Sequence, residues 1–417
     1  MKIITFASYY FPESVASPYL GEQLREAIAA ADMKLDLFVP IPTRGITEEQ
    51  RIEYSRRRVE RKYNDKITIH RIPLMKEHKN PLQRAFRYFI QCVKYYFIGS
   101  FSKVGKEADL LLVSSTPPIL GATTALIKKH RNIPFVYDLQ DIFPDSLVGT
   151  GLAKKGGLLW KIGRVIENFT YKHADKIIVI SEDFKKNIMA KGVPEDKIAV
   201  VYNWVDQNKV VDVPREENKL FDAYGLERSK FYITYNGNIG LTQNMDMLLD
   251  VAKELQEEYE DIHFVLVGNG AYLDEVKRKV ADQQLENVHL LPFQPYEDIS
   301  HVFSLGDASL VISKPGVGAN SVPSKTWSIM SASRPVLANF DENELKTIIE
   351  NNHCGIFTKA GDKDAFKESI LTLYNHRDLC KEYGHNGRKF VLDNLTREVG
   401  TQKYVDVIKE VCGIKAK

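Results

Sequence analysis

The chain of 417 residues carries 57 Lys and Arg against 55 Asp and Glu, a net charge of +2, with 44% apolar and 27% charged residues. Those proportions exclude a disordered chain and give no electrostatic basis for nucleic-acid binding, so any basic surface must be local. The length exceeds what one hydrophobic core organises and predicts two domains of about 200 residues each.

The first residues, Met1 to Ala7, are apolar too briefly for a signal peptide, and no run reaches the roughly 18 to 20 apolar residues of a membrane-spanning helix. Strand-length apolar runs follow at Lys2 to Ala7, Leu35 to Pro40, Ile67 to Leu74, Leu110 to Ser114, Phe135 to Tyr137, Ile177 to Ser181 and Ile198 to Tyr202. Helical patterns separate most of them, as at Gly21 to Ala31, Gly121 to His130 and Leu158 to His173. Continuously apolar strands alternating with helices predict a parallel sheet covered on both faces.

From Gln207 to Arg228 the pattern breaks into a charged stretch with Pro214. It restarts at Phe231 to Tyr235, His263 to Val267, Val288 to Leu291, Ala308 to Ile312, Val336 to Ala338 and Gly355 to Thr358. The expected organisation is two doubly wound Rossmann-like α/β domains, residues 1–206 and 207–398, facing a ligand across a cleft beyond the strands' carboxyl ends.

Pro81 to Phe97 places Phe86, Phe89, Ile90, Val93 and Phe97 on one helical face and Arg84, Arg87, Gln91 and Lys94 on others. Two readings are open: a basic, aromatic helix lying in an anionic membrane interface, or a surface helix that turns its apolar face into the first domain. Upstream, Arg56, Arg57, Arg58, Arg61 and Lys62 read as a solvated loop or, together with that helix, as part of a contact with an anionic membrane. The four cysteines, Cys92, Cys354, Cys380 and Cys412, have neither disulfide nor zinc-ligand spacing and fit a reducing, cytoplasmic setting.

Strand ends are rich in turn chemistry. The first runs into Tyr9, Tyr10, Pro12 and Glu13; Tyr235 is followed by Asn236-Gly237-Asn238-Ile239-Gly240, and Val267 by Gly268-Asn269-Gly270. Glycine there lets a backbone approach a phosphate, or merely ends a strand. From Ile312 to Leu337 the chain reads as strand, loop, helix, strand, with Ser324 and Lys325 near the helix start suited to an anion. Asp362-Lys363-Asp364 matches a short Asp-x-Asp metal pattern, but it follows Gly361 and precedes a helix, so it reads as a cap. No metal and no cofactor are expected.

Four stretches, Val136 to Ser146, Val201 to Asp206, Tyr235 to Gly240 and Val322 to Met330, together resemble a family 4 glycosyltransferase of the GT-B fold, within it those of bacterial N-acetylfucosamine-type surface-polysaccharide synthesis. The resemblance implies a nucleotide sugar held by the second domain, an acceptor held by the first, retention at the anomeric carbon, and a last helix, 399–411, crossing back to the first domain. It departs at instructive places. Where many members carry an arginine and a lysine for the donor diphosphate, Asn238 and Gln243 stand here; where they carry two glutamates with seven residues between them, Asn320 and Ser328 stand.

On that resemblance Lys325, helped by Ser324, takes over the phosphates, and Asp141 orients the acceptor or accepts its proton. Gly237, Asn238, Gly240, Gln243, Gly268, Asn269, Gly270, Asn320, Ser328 and Glu344 line the donor side, and Tyr10 and Glu13 the acceptor side. Glu344 equally well begins the helix after it. The expected partners are a UDP-sugar, such as UDP-N-acetyl-L-fucosamine, and a lipid-diphosphate-linked sugar in O-antigen or capsule synthesis. The expected place is the cytoplasm, peripheral on the inner membrane face. A non-catalytic GT-B scaffold and a UDP-sugar 2-epimerase are the alternatives. A nicotinamide enzyme is disfavoured, because Gly268-Asn269-Gly270 lacks the third glycine of the dinucleotide fingerprint.

Overall fold

The computed structural model describes residues 1–13, 18–77, 80–149, 153–318 and 322–414. The chain divides into two compact units, residues 1–202 with 400–417, and residues 203–399. Val205 belongs to the second because its N–H bonds to the Leu395 carbonyl and it bridges to Thr396.

In the first unit the strands are β1 (Lys2–Phe6), β2 (Lys34–Pro40), β3 (Val59–Lys62), β4 (Ile67–Ile72), β5 (Leu110–Ser114), β6 (Phe135–Leu139), β7 (Lys176–Val179) and β8 (Ile198–Val200). They are ordered β3-β4-β2-β1-β5-β6-β7-β8, parallel except for the β3–β4 pair. The second holds β9 (Phe231–Asn238), β10 (Ile262–Asn269), β11 (Val288–Leu291), β12 (Ala308–Ile312), β13 (Val336–Phe340) and β14 (Gly355–Lys359). Their order is β11-β10-β9-β12-β13-β14, parallel throughout. Central strands such as β12 and β13 are buried at every position, as a sheet covered on both faces requires.

Two elements were not expected from the sequence. The helix Glu48–Arg56 opens with a capping box between Thr47 and Gln50 but buries no residue, so it has no apolar period to be read. Strand β3 is a polar edge strand, antiparallel to β4, where a solvated segment was expected. Edge strands of this kind carry charge instead of apolar alternation.

The helix Pro81–Phe101 corrects the inward-facing alternative. Its inner face is the polar one: Arg87, Gln91 and Tyr95 are buried, while Phe86, Phe89, Val93 and Phe97 are exposed. The strand ends explain the inversion. Gln91 Nε2 and Tyr95 Oη donate to the Ala7 carbonyl beyond β1 (3.2 and 2.7 Å), Tyr95 Oη also reaches the Phe38 carbonyl (3.0 Å), and Arg87 Nε donates to the Met75 carbonyl (3.1 Å). Buried carbonyls need donors, and this helix supplies them from side chains.

The last helix, Arg397–Val411, ties into the end of β6: Tyr404 Oη donates to the Asp138 carboxylate (2.8 Å), which also accepts from Gln140 Nε2 (2.7 Å). Burial pushes the Asp138 carboxyl upward, opposed by those bonds. Tyr404→Phe is expected to destabilise the first unit by about 1–3 kcal/mol, the cost of leaving a buried polar group short of a partner. Urea denaturation would measure it.

Candidate functional site

Strand β9 lies between β10 and β12. The chain winds outward through β10 and β11, then returns to the other side of β9, so the switch in winding falls between β9 and β12. Open α/β sheets bind ligands beyond the carboxyl ends at such a switch. Gly237 and Asn238 close β9 and are in register with Gly268 and Asn269 closing β10. Gly237 has a φ of 125°, open only to glycine, and Gly268 passes so close that an added Cβ would lie 1.9 Å from the Gly237 carbonyl oxygen. Gln243 Oε1 accepts from the Gly240 N–H (3.0 Å) and from Asn238 Nδ2 (3.4 Å), and Asn269 Oδ1 from the Gly270 N–H (2.8 Å). Asn238 and Gln243 thus shape the turn.

After β12, Asp341 accepts from the N–H groups of Gly316 and Gly318 (2.9 and 2.7 Å), and Asn343 Nδ2 donates to the Gly318 carbonyl (2.9 Å). The loop so anchored leads to Ser324, exposed and without a side-chain capping bond, and to the short helix Lys325–Ser331. Lys325 reaches back to β9. Its Nζ lies 3.7 Å from the centroid of the Tyr235 ring and 3.5 Å from where a Cβ on Gly237 would be. It makes no ion pair or hydrogen bond among the described residues, and burial pushes its ammonium down to about 7.

Unused polar groups flank these elements. Both side-chain polar atoms of Asn236, the Ser313 hydroxyl and the Thr326 hydroxyl are buried without a hydrogen-bond partner among the described residues. A half-buried cation and buried polar atoms without partners among the described residues thus lie on elements at the carboxyl end of this sheet. Asn236, Ser313, Thr326 and Tyr235 had not been picked out from sequence. Asn236 stands inside the Tyr235 to Gly240 stretch, the one signal that could have drawn attention to it.

The structure therefore brings Gly237, Asn238, Gly240, Gln243, Gly268, Asn269, Gly270 and Lys325 around the ends of β9 and β10. Ser328 sits within the helix Lys325–Ser331. Glu344 is the first residue of the helix Glu344–Asn351, capped by Asn343, so it does begin that helix. Asn320 lies outside the described residues. Asp362 caps the helix Lys363–Asn375 through the Ala365 N–H (3.0 Å), the reading the sequence favoured, and no group of metal-ligating side chains occurs among the described residues.

In the first unit β1 lies between β2 and β5, which puts the corresponding switch beside β1. Asp141 follows β6; its N–H donates to Ser115 Oγ (3.1 Å), and its carboxylate accepts from Ser146 Oγ (3.0 Å). Although its tip reaches solvent, the protein around it displaces water and pushes its carboxyl upward, as does the nearby Asp145. Asp145 pairs instead with Lys191 (2.7 Å).

Tyr10 and Glu13 are both buried and committed to internal bonds. Tyr10 Oη donates to Glu22 (3.1 Å) and accepts from Lys62 Nζ (3.0 Å); Glu13 Oε1 accepts from the N–H groups of Thr43 and Arg44 (2.7 and 2.9 Å). They hold loops beside β1. Tyr9, Arg44 and Glu77, unremarked from sequence beyond the aromatic run, form a second cluster there. Tyr9 Oη bonds Glu77 (3.0 Å) and Tyr88 (2.7 Å), and the Arg44 guanidinium lies 4.3 Å from the Tyr9 ring centroid.

Comparison with known proteins fits this layout. Residues 18–204 match the model of a glycosyl transferase 4-like domain, and residues 216–390 that of glycosyl transferases group 1. A probable glycosyltransferase, WbjE of Pseudomonas aeruginosa, is 25% identical over 66% of this chain and 66% of its own length, just under two thirds. The putative colanic acid biosynthesis glycosyl transferase WcaI of Escherichia coli is 25% identical over 79% of this chain and 81% of its own. The crystal structure of Anabaena Alr3699/HepE in complex with UDP aligns over 98% of this chain and all of that one, with a TM-score of 0.72 at 16% identity. The fold is the GT-B fold of two Rossmann-like domains. The two matched segments together span most of the chain, the first similar to a glycosyl transferase 4-like domain and the second to the group 1 glycosyl transferases.

Proposed function

We propose that the protein is a retaining glycosyltransferase that moves an N-acetyl amino sugar, such as N-acetyl-L-fucosamine, from its UDP-sugar to a lipid-diphosphate-linked glycan in O-antigen or capsule synthesis. The observation that carries the reading is Lys325, a half-buried cation without a counter-ion among the described residues, lying against Gly237 where β9 ends. A nucleoside diphosphate supplies the missing negative charge. As the glycosidic bond breaks, charge grows on the leaving phosphate, and a donor already in place lowers that barrier most. Gly237, whose missing side chain leaves room beside Lys325, lets backbone approach the diphosphate, while Asn236, Ser313 and Thr326 offer it polar contacts. Ser324, Ser328 and Glu344 belong to the same donor side, and the lysine lets the phosphates be held without a metal.

Asp141 serves the other half of the reaction by orienting the acceptor hydroxyl or taking its proton, on the acceptor side that Tyr10 and Glu13 shape. Desolvation by the surrounding protein pushes its carboxyl upward, the direction that makes it a better proton acceptor. Asp141→Asn is expected to lower kcat/KM about tenfold, which corresponds to about 1.4 kcal/mol of lost transition-state stabilisation. Full transfer by that variant would leave Asp141 as a partner of Ser146 alone. The whole reading is tested by incubating the purified protein with a panel of UDP-sugars and membranes bearing lipid-linked intermediates, and weighing the products. One sugar added to a lipid-linked glycan is expected; neither transfer nor donor hydrolysis with any UDP-sugar would leave the non-catalytic scaffold.

A further inference from the structure

The outward face of the helix Pro81–Phe101 does not stand alone. The helix packs against the helix Ile119–Arg131, which packs in turn against the helix Leu158–His173. Phe101 carries the contact across, its ring centroid 4.9 Å from that of His130. On the first helix Leu82, Phe86, Phe89, Val93, Phe97 and Phe101 form one exposed stripe, with Leu82 81% exposed and Phe86 56%. On the third, Leu158, Leu159, Ile162 and Val165 are exposed, Val165 to 69%, and Leu126 of the middle helix is exposed as well. Arg87, Gln91, Tyr95 and Ser100 of the first helix, by contrast, are buried. Water does not select such an inverted helix, and exposed apolar surface of this extent marks an interaction site.

Charge identifies the occupant. The three helices carry nine Lys and Arg against a single acid, Glu167; of the nine, Arg87 faces inward and Lys128 and Arg164 are paired with Asp175 and Glu167, which leaves six for the surface. Glu167 is itself buried and paired with Arg164 and Lys191. Exposed Lys154, Lys155 and Lys161 border the third stripe, and Lys129 and Lys103 lie beside the first two helices. A face that is apolar at its centre and cationic at its margin complements a bilayer rich in anionic lipid: phenylalanine and leucine enter the acyl boundary while lysines meet the headgroups. No described helix is long and apolar enough to cross a membrane, so the contact lies on the bilayer.

We propose that the outer face of these three helices is a docking surface for an anionic lipid bilayer. It rests on the reading of a lipid-linked acceptor for its purpose, but not for its geometry. The inner face of the helix Pro81–Phe101 grips the Ala7 carbonyl, two residues before Tyr9. The same helix that enters the lipid therefore holds the exit of β1, where a membrane-borne acceptor would arrive.

The test mixes the full-length protein with vesicles of phosphatidylglycerol and phosphatidylcholine in equal parts, or of phosphatidylcholine alone, and sediments them. Binding to the anionic vesicles is expected to be at least roughly tenfold tighter, and to weaken at high salt. Phe86→Ser with Phe89→Ser and Val165→Ser, all at exposed positions, should weaken it roughly tenfold or more while UDP binding is unchanged. Lys154→Glu with Lys155→Glu and Lys161→Glu should remove the preference for anionic lipid. Equal binding to both vesicles, no binding, or indifference to these substitutions would overturn the proposal. So would a dimer, seen by light scattering, that the serine variants dissociate, since a second copy would then cover the face. Vesicle binding by a protein that fails to bind UDP would leave docking standing and sink the transferase reading.

Discussion

Lys325→Met is expected to lower kcat about 100-fold or more, the scale of losing one preorganised donor to a developing negative charge. The same variant should be more stable than its parent. In the folded chain the Lys325 ammonium titrates at about 7 instead of the ordinary 10.5, because burial disfavours its charge and no acid answers it. The unfolded chain therefore holds that proton more tightly. The resulting destabilisation is full at pH below 7 and is relieved as pH rises from 7 towards 10.5. Methionine removes it, so the variant is expected to melt higher than the parent at pH 7 and below, with the difference shrinking at higher pH. A lysine kept only for structure would not be both costly to the fold and necessary to turnover. Unchanged turnover in a thermally stabilised variant would show that the phosphates sit elsewhere.

The second large effect is expected at Gly268. In Gly268→Ala the new methyl would lie 1.9 Å from the Gly237 carbonyl oxygen, and both partners belong to strand backbone, which cannot rotate aside. β9 and β10 must separate at their carboxyl ends, at a cost of about 3 kcal/mol. The displacement carries Gly237 away from Lys325, so affinity for UDP should fall together with the urea midpoint of the second unit. Gly240→Ala is the informative contrast. Its methyl would meet the ends of the Asn238 and Gln243 side chains, which can swing away, so a milder loss is expected. Equal stability of the Gly268 and Gly240 variants would contradict the close strand approach.

The parallel strands were legible because strands covered on both faces are written as unbroken apolar runs, as in β5 and β12. Where an element buries little, as in β3 or the helix Glu48–Arg56, no such signature exists. The helix Pro81–Phe101 shows another limit. Its two faces were plain in the sequence, but which one faced inward was settled by the strand-end carbonyls of Ala7 and Phe38, and a helical wheel does not contain them. At the site, glycine turns and Lys325 could be read from local chemistry. That the described residues hold no counter-ion for Lys325, and no partners for Asn236, Ser313 and Thr326, is tertiary information. At Tyr10 and Glu13 position alone was legible; the structure adds that Glu22, Lys62 and the Thr43 and Arg44 N–H groups bond them, while Glu13 Oε2 is buried without a partner among the described residues.

Lys325, whose ammonium is pushed down to about 7 by desolvation, is expected to gain charge when a nucleoside diphosphate arrives beside it. Calorimetric titration of the protein with UDP near pH 7, in two buffers of different ionisation enthalpy, measures the protons exchanged on binding. Uptake of roughly half a proton is predicted, declining at lower pH as the lysine becomes charged beforehand, and abolished in Lys325→Met. Tight UDP binding with no proton uptake, or with uptake that survives in the variant, would contradict it.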